Sequence, residues 1–217
     1  MNTIEKEENS HQKSEEQESS ILLQEYVQKR KEELIALQNY AKRLELFAVL
    51  KSEKPYSNKN HEHAAIALST ILKHARNEFV IFDDNLHGDI AKHEEVLSFK
   101  DSVIAFLSGG GKLRIVIGDK FDDDSIEFKR FLRVLLDVFS QNVRIKIAND
   151  DFKNEIKNKY VTNINFAIGD SRMYRLEKYE KPEDKDRSAV VCFNDVNKSK
   201  ELLSVFNKNF DKCDNYF

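Results

Sequence analysis

Asn163-Ile164-Asn165-Phe166-Ala167-Ile168-Gly169-Asp170 is the stretch from which this 217-residue chain is best read. Its apolar residues run into a Gly-Asp turn, and Ser171-Arg172-Met173-Tyr174-Arg175-Leu176 alternates again beyond it. Such a pattern predicts a strand, a tight reversal and a second strand. Asn163 and Asn165 share one side of the first strand because side chains alternate along an extended backbone. Asp170 closes that strand at the turn.

Upstream, helical and strand patterns alternate. Ala65, Leu68, Leu72 and Ala75 recur at helical spacing, and Phe79-Val80-Ile81-Phe82 reads as a buried strand ending in Asp83-Asp84-Asn85. Val96, Phe99, Val103, Phe106 and Leu107 mark a second helix, stopped by Gly109-Gly110-Gly111. Strands over 113–117 and 143–147 flank a helix carrying Phe128, Phe131, Leu132, Leu135 and Val138. After the hairpin come an apolar strand, Ala189-Val190-Val191-Cys192-Phe193, and a helix with Leu202, Leu203, Phe206 and Phe210. Short apolar strands separated by helices predict an α/β fold. Its sheet is expected to be mixed, largely parallel and covered by helices on both faces.

The spacing of Asn163, Asn165 and Asp170 resembles the His-x-Lys-x4-Asp signature of the phospholipase D superfamily, with two letters changed. In that family the His attacks phosphorus, the Lys holds the phosphate, and the Asp orients the site. The resemblance implies a single phospholipase D-like half over roughly residues 62 to 212. It also implies a homodimer, because the family's active centre is built from two halves. Here Asn163 stands in the place of the nucleophile and Asn165 in that of the Lys, and only Asp170 is retained. An amide nitrogen has no usable lone pair, so neither Asn can form a phospho-enzyme or shuttle a proton near neutral pH. The expectation is a catalytically inactive binding module without cofactor or metal, recognising a phosphate-bearing ligand or nucleic acid in a regulatory or defence setting. The plainer reading is that the three residues form a solvated strand face and turn.

Candidate phosphate contacts are Lys159, Arg172 and Arg175, with Lys153, Lys157 and Tyr160 nearby in sequence. Asp150, Asp151 and Glu155 dilute that field. A working phosphodiesterase would need another nucleophile, and His87 and His93 are the candidates that follow the first strand. His61, His63 and His74 offer ligands from one side only, a weak metal pattern. Asp83, Asp84 and Asp119 end strands, where open α/β sheets bind ligands, yet turns account for them. Asp122-Asp123-Asp124 precedes a helix and reads as a cap. Residues 177–187 form a charged hairpin loop.

Net charge is −3, with 40% hydrophobic and 34% charged residues, so no global field attracts nucleic acid or anionic membrane. No apolar run reaches the length of a membrane span. Cys192 and Cys213 lack metal-ligand spacing, which fits a reduced, cytoplasmic protein.

Residues 1–18 are expected to be a disordered acidic and polar tail. Over 19–52, Ile21, Leu22, Tyr26, Val27, Leu34, Leu37, Tyr40, Ala41, Leu44 and Phe47 predict a long amphipathic helix. Its spacing is heptad-like, interrupted at Arg30 and Glu33, and suits self-association or docking of a protein partner through residues 20–52. In that last case the protein is a structural adaptor. Residues 53–61 read as a linker, and 62–217 as the α/β domain.

Overall fold

The computed structural model describes residues 4–58, 60–83, 96–118, 126–180 and 188–216, with side chains from residue 20 onward. The chain divides into two units, one ending at Asn39 and one running from Tyr40.

The first unit is the greater part of helix α1, Ile4–Val49. The helix begins at Ile4 rather than near residue 19, because the polar opening is rich in Glu, Lys and Gln, which are good helix formers in their own right. Ile21, Leu22, Leu23, Tyr26, Val27 and Ile35 are all exposed on it.

The second unit opens with the last turns of α1, where Tyr40, Leu44 and Ala48 are buried. The Tyr40 ring stacks on His63 at 3.9 Å, and Phe47 meets Tyr56 edge-on at 5.4 Å. Strand β1, Tyr56–Asn58, lies inside the stretch expected to be a linker. It gains its order by pairing antiparallel with a strand more than a hundred residues later, a partner that local pattern does not reveal.

The remaining elements are α2 (His61–His74), β2 (Glu78–Asp83), α3 (Phe99–Ser108), β3 (Lys112–Ile117), α4 (Ile126–Val138), β4 (Val143–Ile147) and α5 (Asp150–Tyr160). They are followed by β5 (Asn163–Gly169), β6 (Met173–Tyr179), β7 (Ser188–Cys192), α6 (Val196–Phe210) and β8 (Asp214–Asn215). The described strands form one mixed sheet in the order β1-β7-β6-β5-β2-β3-β4-β8. Parallel pairing is confined to β2 with β3 and β3 with β4; the other neighbours are antiparallel. The parallel share is smaller than the helix-strand rhythm implies, because β5, β6 and β7 run as a meander. Hairpin-linked strands are antiparallel by geometry.

Strand alternation sends residues to two covered faces. Val80, Phe82, Ile164, Phe166 and Ile168 pack with Phe152 and Ile156 of α5 and with Leu202, Val205 and Phe206 of α6. Phe82 meets Phe152 at 4.8 Å, and Phe152 meets Phe206 edge-on at 6.3 Å. On the opposite face Phe79 contacts Phe106 of α3 edge-on at 6.4 Å. Gly169 lies there under Ile71 and Ala75, so close that a Cβ would sit 2.6 Å from Ile71 Cγ2. Burying each such Phe contributes about 1.5–3 kcal/mol, which is why this central sheet holds the rest in place.

Candidate functional site

Strand β5 carries the sequence signature, and its two ends do different things. At the start, Asn163 is half-buried and its Nδ2 donates to the Glu180 carbonyl at 2.9 Å. It lines a cleft of about 350 Å³ together with Asp150, Lys153, Asn154, Lys157 and Tyr179. Helix α5 supplies the basic wall of that cleft. Asn149 caps α5 by accepting from the Phe152 amide, and Phe152 and Ile156 anchor its inner face, leaving Lys157 exposed.

Asn165, one pleat further on, is buried at 2% exposure. Its Nδ2 donates to Glu177 Oε2 at 2.9 Å across the β5–β6 pair. Arg175 donates through Nη2 to the other Glu177 oxygen at 3.1 Å and through Nε to Asn58 Oδ1 at 2.7 Å. Asn58 Nδ2 in turn donates to the Asn60 carbonyl at 3.1 Å. These groups sit on the face shared by Asn58, Asn165, Arg175 and Glu177, and each charge finds its counterpart there. Such a network fixes strand register.

Asp170 lies at the opposite end of β5, about 23 Å from Asn163 along an extended backbone. Its carboxylate accepts from the amides of Arg76, Asn77 and Glu78 at 2.7, 2.8 and 3.0 Å. The residue has φ +49°, a left-handed conformation in which Asp and Asn are enriched. Asp170 therefore caps the entry of β2 and shapes the β5–β6 turn. Arg172 serves the same corner, donating to the carbonyls of Phe193 at 3.0 Å and His74 at 3.3 Å.

Of the expected phosphate contacts, then, Arg172 lies at the far turn and Arg175 inside the network. Lys159, in the last turn of α5, stands 3.7 Å from Glu201. Burial raises Glu201, but the hydrogen bond from Lys198 and the other groups around it hold its carboxyl below the usual range. The lysines that line the cleft with Asn163 are Lys153 and Lys157. Their i, i+4 spacing on one helix face is the signal that identifies them, once α5 is recognised as a helix.

His74 contacts Glu45 at 3.1 Å and His63 stacks on Tyr40, so these side chains are occupied within the fold. Among the described residues no group of three or more His, Cys, Asp or Glu is placed to hold a metal ion. Cys192 and Cys213 are buried free thiols whose pKa burial pushes up. His87, His93, Asp84, Asp119, Asp122 to Asp124 and loop residues 181–187 lie outside the described residues. No described helix is long and apolar enough to cross a membrane.

No family model and no curated protein matches this chain. Solved structures do. TrmBL2, an archaeal chromatin protein whose structure shows a novel mode of DNA binding, superposes with a TM-score of 0.53 at 17% identity, over 89% of this chain and 67% of that one. The likeness is one of fold. Nuc from Salmonella typhimurium, a phospholipase D family member, gives 0.49 at 11% identity over 75% of this chain and 96% of its own. Phosphatidylserine synthase from Haemophilus influenzae Rd KW20 gives 0.43 at 11%, over 73% of this chain and 38% of its own.

Proposed function

We propose that this protein is a non-catalytic, phospholipase D-like binding module, working as a cytoplasmic homodimer, that holds a phosphate-bearing ligand such as nucleic acid in the cleft beside Asn163. The observation that carries this reading is the contrast between the two Asn residues. Asn165 is buried against Glu177, whereas Asn163, which also donates to the Glu180 carbonyl, lines the cleft beside Lys153, Lys157 and Asp150. Amides and ammonium groups bind phosphate oxygens without attacking phosphorus. The DNA binding recorded for TrmBL2 supports nucleic acid as the first ligand class to try.

The test is fluorescence anisotropy with labelled single-stranded DNA, double-stranded DNA and RNA across a salt series, alongside a phosphodiester chromogen. Binding should fall with salt, and replacing both Lys153 and Lys157 by Glu should weaken it at least about tenfold and flatten the salt slope by about two phosphates. Absence of binding to all three polymers overturns the ligand class. Turnover of the chromogen that is lost on His87→Ala or His93→Ala overturns the non-catalytic reading and favours a phosphodiesterase with another nucleophile.

A further inference from the structure

We infer that residues 20–37 of α1 pair with the same segment of a second copy as a two-stranded antiparallel coiled coil. This rests on the dimeric reading above and assigns the surface that carries it. Leu23, Val27, Arg30, Leu34 and Leu37 follow one another at spacings of four, three, four and three, the seam of a left-handed coiled coil. Leu23, Val27 and Leu34 are 62%, 44% and 37% exposed, and Tyr26 flanks them at 63%. Ile21, Leu22 and Ile35 lie outside the seam and are exposed too. An apolar stripe on a long helix that meets water along its length is a seam awaiting its other strand.

The interruption at Arg30 sets the direction. In a parallel, in-register pair Arg30 would face its own copy, with Lys31 of each helix at the flanking position, bringing four cations together. Reversing one helix instead sets Arg30 opposite Val27 of the second copy, with Tyr26 beside it to offer an aromatic face. The same reversal brings Leu23 opposite Leu34. Arg30 keeps its 3.1 Å ion pair with Glu33 of its own helix. Charge agrees with this direction: residues 20–28 hold one Glu and no basic side chain, whereas residues 29–37, which face them in this register, hold three basic and two acidic side chains. The antiparallel arrangement sets the net-acidic half of each seam against the net-basic half of the other.

Sedimentation equilibrium of the full chain at about 100 μM, above the micromolar range expected for so short a seam, should give a dimer. The Val27→Asp/Leu34→Asp variant should be monomeric with an unchanged near-UV spectrum, since both side chains are exposed. A variant that stays dimeric overturns the inference while leaving the dimer itself standing. A wild-type monomer overturns both, and a trimer or larger assembly overturns the two-stranded seam. Direction is read by disulfide trapping, which the burial of Cys192 and Cys213 keeps clean. Mixed Leu23→Cys and Leu34→Cys chains should cross-link to each other, and self-linking of Leu34→Cys alone overturns the antiparallel order.

Discussion

Asn165 and Glu177 face each other across β5 and β6, the amide nitrogen 2.9 Å from Oε2 on a face that water does not reach freely. Truncating Asn165 to Ala deprives the Glu177 carboxylate of a donor and should cost about 1–3 kcal/mol in urea unfolding. Arg175→Met should cost more, about 3–5 kcal/mol, because it removes the cation that balances Glu177. Adding Glu177→Gln to that variant should recover part of the loss, and a double-mutant cycle reads the coupling directly.

Asp170 joins three backbone amides at the head of β2. Asp170→Ala loses all three charge-assisted bonds and strains a left-handed backbone, so a loss of about 3 kcal/mol or more is expected in thermal or denaturant unfolding. Asp170→Asn keeps the backbone preference and one acceptor and should cost less. Ligand affinity measured on the folded Asn variant should equal wild type, which separates a turn-forming role from one at the cleft.

Acid sensitivity should be written partly in Glu155. The 2.6 Å hydrogen bond from Asn209 is the first cause holding its carboxyl below its usual value of 4.5, with Lys208 adding to it. A carboxylate depressed in the folded state stabilises the protein fully above its ordinary pKa, and that contribution is lost as pH falls through the depressed value. Glu155→Gln should therefore flatten the pH dependence of stability below about pH 4.5. At neutral pH it should cost at most about 1 kcal/mol, because water reaches the pair.

Gly169→Ala tests how closely α2 lies on the sheet. The added methyl meets Ile71 Cγ2 at 2.6 Å and Met173 Cε at 3.0 Å. Overpacking of this kind costs about 1–3 kcal/mol, a Tm lowered by roughly 2–12 °C for a chain this long. Calorimetry on the single variant is sufficient.

Much of the fold is legible before any coordinates, because β2, β3, β4 and α4 each announce themselves by period. The β5–β6 reversal is legible too, from Gly169 and Asp170. Helix α5 is harder, since Phe152 and Ile156 are the only residues it buries, and its best signal is the cap at Asn149 followed by Asp150 and Asp151. Arg175 shows why a basic residue near a suspected site is ambiguous. Alternation gives its face, but that Asn58 covers that face follows only from the pairing of β1 with β7. The partnership of Asn165 with Glu177 was within reach, because a turn centred on Ser171 sets their register. What sequence could not supply is that this register turns the second Asn inward, while the first stays at the cleft.

Strand β1 is hydrogen-bonded to residues that the ribosome makes some 130 positions later: Tyr56 pairs with Val191 and Asn58 with Ala189. One edge of the sheet thus cannot close until nearly the whole polypeptide has emerged. Arg175 depends on the same event, because Asn58, which accepts from its Nε, is brought over it by the pairing of β1 with β7. Non-local closure of this kind slows folding and leaves an open strand edge during synthesis, so truncations that end before residue 192 should be prey to proteases and aggregation.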